Sequence, residues 1–135
     1  MAEHILQVVN GATGEAVALA LVLMAFDVVA GFAKACKAGN VSSTVMREGA
    51  WHKAGFVGLV FLAAVIQWLL MAVPVPSGVT VPEIPLVVMT CAYVAVTEAV
   101  SIFENLCSLN PAIAGSPVGK VMEQLEKADD KEGGQ

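Results

Sequence analysis

Ala54 to Val73, AGFVGLVFLAAVIQWLLMAV, is a run of twenty residues without a charge. As a helix it rises about 30 Å, which matches the hydrocarbon thickness of a bilayer. Two further stretches of similar length flank it. Ala16 to about Ala33, AVALALVLMAFDVVAGFA, covers about 27 Å at 1.5 Å per residue. Ile84 to Leu109 opens as fourteen uncharged, mostly apolar residues before it admits Glu98, Ser101, Glu104 and Asn105. The composition agrees, because only 14% of the 135 residues are charged and 57% are hydrophobic. Soluble domains carry about 25% charged residues, and so few charges cannot cover a water-facing surface. The expected fold is an all-α membrane protein with one domain and three transmembrane helices, at about 15–34, 54–73 and 84–108.

The segments between the spans set the orientation. Residues 1–14 contain no Lys or Arg, and the turn Pro74 to Glu83 contains none either. The first loop carries Lys34, Lys37, Arg47 and Lys53, and the region after the third span carries Lys120, Lys127 and Lys131. Basic residues favour the cytosolic side, so the N-terminus is expected outside and the C-terminus inside. Within the first loop, Gly39-Asn40 reads as a helix stop. Ser42-Ser43 reads as a cap for a helix that runs on into the second span. Trp51 and Trp68 fall near opposite ends of that span, where aromatic side chains anchor at the interface. Pro82 and Pro85 bracket the start of the third helix, where a missing N–H is tolerated. Val118, Val121, Met122 and Leu125 share one face of a short amphipathic C-terminal helix. Residues 126–135 have the composition of a disordered cytoplasmic tail.

Charges within the spans mark the candidate site. An Asp such as Asp27 costs about 2.5–3.5 kcal/mol in lipid on insertion scales, so it must face a partner helix or water. Gly31 and Lys34 lie at i+4 and i+7 from it. On the third span Thr97, Ser101, Glu104 and Ser108 form one line, flanked by Glu98 and Asn105. With the orientation above, Asp27 and Glu98 lie in the cytosolic halves of their helices, near where Lys34 and Lys53 emerge. The expected feature is a polar seam of Asp27, Gly31, Lys34, Lys53, Glu98, Ser101, Glu104 and Asn105. Two arrangements remain open: pairs inside one chain, or carboxylates facing water in an oligomer. Glu104 and Asn105 can also simply reach the headgroups.

Several chemistries find no support. Seven basic residues form no extended basic face for nucleic acid. Cys36, Cys91 and Cys107 form no CxxC pair, and the motifs HExxH and GxSxG are absent from the sequence. No enzyme activity, metal or cofactor is expected.

The motifs then assemble into a pattern. FDVVAGFAKACKAGNVSS, followed by Gly49 and Lys53, resembles the first half of the toxin secretion/phage lysis holin family. TEAVSIFEN, containing Glu98, Ser101, Ile102, Glu104 and Asn105, resembles that family's second signature. The similarity runs from about Leu19 to about Leu125. It implies a phage- or prophage-derived protein of the bacterial inner membrane. Such proteins assemble as homo-oligomers in the lipid bilayer into lesions that pass a cytosolic cell-wall hydrolase or a toxin. A small homo-oligomeric ion channel and a non-conducting membrane scaffold are the competing readings of the residues themselves.

Overall fold

The computed structural model describes residues 11–74, 76 and 84–132. Among these the regular secondary structure is all helical. Helix α1 runs Ala12–Lys37, α2 Ser43–Ala72 and α3 Leu86–Leu109; a 3-10 turn, Pro111–Gly115, leads into α4, Pro117–Glu132. The first three are each long and apolar enough to cross a membrane. The expected residues 1–10, most of the second loop with Pro82, and residues 133–135 lie outside the described residues.

Helix α1 stops where Gly39 takes a positive φ of 65°, a conformation that costs glycine least. The Gly39 N–H bonds to the Cys36 carbonyl and the Asn40 N–H to the Ala35 carbonyl. That pair of bonds is the Schellman arrangement, which satisfies carbonyls the helix end leaves open. Ser42 is the N-cap residue of α2, as expected, but its side chain makes no capping bond. Helix α2 therefore starts eleven residues before the apolar run at Ala54, in one unbroken helix of thirty residues. Hydropathy marks where the lipid-compatible stretch begins and says nothing of where the backbone first becomes helical.

Helix α3 is the centre of the bundle, since both α1 and α2 pack against it. Ala20 and Met24 of α1, Phe56 and Ala63 of α2, and Val87, Cys91 and Val94 of α3 form the buried apolar cluster. Phe56 meets Tyr93 of α3 edge-on at 6.2 Å between ring centroids. Phe56 and Ala63 are the buried residues of α2, which otherwise turns its surface outward. Gly55 and Gly58 have nothing within 4 Å of where a Cβ would stand, so neither marks a close helix approach. Outward apolar surface of this kind suits lipid, which solvates it as well as a core would.

The C-terminal segment departs from expectation. Helix α4 continues to Glu132, so the region after 125 is helical over at least seven residues where a structureless tail was expected. Its Ala, Glu and Lys residues are good helix formers, and Lys127 donates to Glu123 one turn back. The start of α4 is fixed by chemistry the sequence does carry: Ser116 accepts from the Gly119 N–H through its Oγ at 3.1 Å, and Pro117 occupies the first helical position.

Candidate functional site

Asp27 lies ten residues from the end of α1, Lys53 ten residues into α2, and Glu98 eleven residues from the end of α3. At 1.5 Å per residue, all three stand about 15 Å from the same end of the bundle. They meet there. Lys53 Nζ donates to Asp27 Oδ2 at 2.8 Å and to Glu98 Oε2 at 2.5 Å. Asn105 Nδ2 donates to the other Asp27 oxygen, Oδ1, at 3.1 Å. One lysine thus ties all three spans together, and the carboxylate of α1 is held from α2 and α3 at once.

The clasp is largely buried. Glu98 is 2% exposed, and the side chains of Lys53 and Asp27 are 13% and 15% exposed. Among the described residues no buried side-chain nitrogen or oxygen lacks a hydrogen-bond partner. That is the condition under which charge survives in a low-dielectric interior, because an unpaired ion there costs several kcal/mol. The formal charge does not balance, since one ammonium faces two carboxylates.

Two further side chains secure α3 at its ends. Gln67 of α2 accepts from the Val87 N–H through its Oε1 at 3.0 Å, one of the donors that a helix N-terminus leaves open. Lys37 of α1 donates to the carbonyls of Ser108 and Leu109 at 3.0 and 2.7 Å. A cation on the last carbonyls of a helix also meets the negative end of its dipole. Helix α3 is thereby held at three levels. Gln67, the polar residue within an otherwise apolar run, thus bridges α2 to α3. Lys37 formed no part of the expected seam; the sequence shows it as a lysine in the last turn of α1, and packing alone brings it to the end of α3.

The expected seam is therefore divided. Asp27, Lys53, Glu98 and Asn105 come together, with Ser101 beside Asp27. A Cβ on Gly31 would stand 3.6 Å from Asn105 Nδ2, an ordinary contact, so Gly31 borders the network without being forced to be glycine. Lys34 is exposed and forms no ion pair among the described residues. It cannot reach Asp27 along its own helix, because seven residues separate them by about 10.5 Å. Glu104 is exposed as well. It lies six residues from Glu98, about 240° around the helix, whereas Asn105 returns to within about 20° of it. Lys53 sits ten residues inside α2, which begins at Ser43 as the Ser42-Ser43 cap led one to expect. Trp51 and Trp68 are both exposed on α2, seventeen residues or about 26 Å apart.

Among the described residues there is no cluster of His, Cys, Asp and Glu able to hold a metal ion, and the three cysteines are free. The arrangement is a structural clasp inside a multi-pass membrane protein. No curated protein and no solved structure matches the chain. The sequence profile of the bacteriophage holin family matches residues 4–127, which takes in the three spans, the clasp and most of α4. The chain belongs to the bacteriophage holin family.

Proposed function

We propose that the protein accumulates in the bacterial inner membrane with the clasp closed, and then oligomerises into lesions that release a cytosolic cell-wall hydrolase or toxin. The observation that carries this reading is the family match across residues 4–127, nearly the whole chain. The orientation that goes with it has the N-terminus outside and the basic first loop and C-terminus in the cytosol, with Trp51 and Trp68 as interfacial anchors.

The geometry supplies a physical route. Reading the spans by charge alone suggests that a three-helix monomer cannot hide its carboxylates and must self-associate. The closed clasp removes that pressure: Asp27, Lys53 and Glu98 satisfy one another within one chain. A closed chain can build up in lipid without leaking. Opening the clasp exposes three charged groups whose favourable surroundings are water or the same groups of neighbouring copies, which is what lines a water-filled lesion. Lys34 and Glu104, exposed and outside the clasp, are charges of the expected seam left to meet between copies. A charge within the membrane field is biased by about 2.3 kcal/mol per 100 mV, so the imbalance of the clasp couples its state to the membrane potential.

The test is expression of the chain together with a cytosolic muralytic enzyme. Abrupt lysis is expected, and earlier lysis when an energy poison is added. Normal insertion with unaffected growth under both conditions would sink the reading. A steady ion leak that passes no folded enzyme would instead favour a small channel. Asp27→Asn and Glu98→Gln should shift the time of lysis more than Glu104→Gln, and equal shifts from all three would remove the clasp from the mechanism.

A further inference from the structure

Helix α4 carries surface that the bundle does not use. Val118, Val121, Met122 and Leu125 fall within about 100° of arc on it. Met122 is buried, while Val118, Val121 and Leu125 are exposed. Lys120, Glu123, Gln124 and Lys127 occupy the other side and are exposed too. This is the pattern of a helix with one apolar face and one polar face, and the apolar face is mostly uncovered.

The way α4 is joined to the bundle says where that face is. Only Asn110, the short 3-10 turn Pro111–Gly115 and Ser116 separate α4 from the end of α3, so α4 begins close to it. That end of α3 is where a span leaves the membrane. The elbow is also tight. A Cβ on Gly119 would stand 2.2 Å from the Ala114 carbonyl oxygen, a distance that requires the backbone to move. Helix α4 packs on the 3-10 turn and on α3, so its angle is set by that approach and by the Ser116 cap.

Three exposed side chains are too small a patch for a stable protein partner, which covers about 800 Å² on each side. They are enough for the headgroup layer, into which an interfacial helix sinks its apolar face by about 5–10 Å. We infer that α4 is an interfacial helix whose Val118, Val121 and Leu125 insert among the lipid headgroups, with the elbow at Gly119 setting its angle to α3. The inference rests on α1–α3 spanning the bilayer and is independent of lesion formation. Acids outnumber lysines five to three along α4. The apolar face therefore does the docking, and anionic lipid is not required.

The full chain, reconstituted in vesicles of phosphatidylcholine alone or with phosphatidylglycerol, tests this. Cys36→Ser and Cys107→Ser remove the accessible thiols, and the buried Cys91 stays. A nitroxide is then placed through Val118→Cys, Lys120→Cys, Val121→Cys, Gln124→Cys or Leu125→Cys. Its exposure to oxygen is compared with its exposure to a water-soluble nickel chelate. The oxygen preference should be several-fold higher at 118, 121 and 125 than at 120 and 124, in both lipid mixtures. Equal access of the chelate to all five positions would overturn the inference. So would closure of 118, 121 and 125 to both reagents, which would mean a covering protein, or a preference that appears only with anionic lipid. Gly119→Ala should erase the difference between the two faces, and an unchanged pattern would overturn the role of the elbow.

Discussion

Lys53 with Glu98 and Lys127 with Glu123 meet at the same distance, 2.5 Å, and share one chemistry. Their surroundings are opposite. The first pair joins α2 to α3 with side chains 13% and 2% exposed, while the second lies along one turn of α4 with side chains 68% and 62% exposed. In water a lost ion pair is replaced by hydration, so an exposed pair contributes little. In the interior the partner left behind has nothing to replace it, and removing one member is far more costly than the pair is stabilising. The distance between two charges therefore says little about what the contact does. What each group would meet after the contact is broken decides it, and only the pair inside the bundle can govern how the helices are arranged.

The most severe way to break that contrast is Lys53→Met. It leaves Asp27 and Glu98 facing each other without a cation and should cost about 3–5 kcal/mol, read as loss of folded fraction in detergent. A change below about 0.5 kcal/mol, the size expected at an exposed site, would erase the distinction. Adding Asp27→Asn and Glu98→Gln to Lys53→Met removes the stranded charges and should recover most of the loss. The single changes Asp27→Asn and Glu98→Gln each leave one carboxylate with one ammonium. Each should therefore cost about 1–2 kcal/mol, clearly less than loss of the lysine. If either single change matched Lys53→Met, the lysine would not be the centre of the clasp.

Much of this arrangement is legible in the residues. The three spans follow from uncharged length, and Asp27 and Glu98 announce a buried partner because lipid will not tolerate them alone. The partner was harder to name. Lys34 shares a face with Asp27 but is about 10.5 Å along the same helix, so the cation had to come from elsewhere. Lys53 stood in the expected seam beside Lys34, but hydropathy put it just outside the apolar run and did not choose between the two. Glu104 falls in a line with Thr97 and Ser101, yet on a helix it turns away from Glu98, which Asn105 does not. The centrality of α3 was also concealed: α2 is the most purely apolar span, and it is the peripheral one, since apolar surface can face lipid and charge cannot. The grip of Lys37 on Ser108 and Leu109 depends on which helix ends become neighbours, and that is a property of packing.

The smallest effect belongs to the exposed pair, and it completes the contrast. Lys127→Ala should leave the stability of the bundle unchanged and alter only the local helicity of α4, read from backbone amide signals of the reconstituted chain. The pH dependence has a definite sign. The hydrogen bond and charge of Lys127 hold the Glu123 carboxyl below its ordinary value of 4.5. A lowered value means that the contact supports α4 above pH 4.5 and is lost as pH falls through the lowered value. Salt should weaken the same contact at neutral pH, because exposed charges are screened. The clasp should ignore that salt, since Lys53, Asp27 and Glu98 are largely buried between the spans. A bundle that loosened in step with α4 under salt would show that water reaches Lys53, and the two pairs would then differ in position alone.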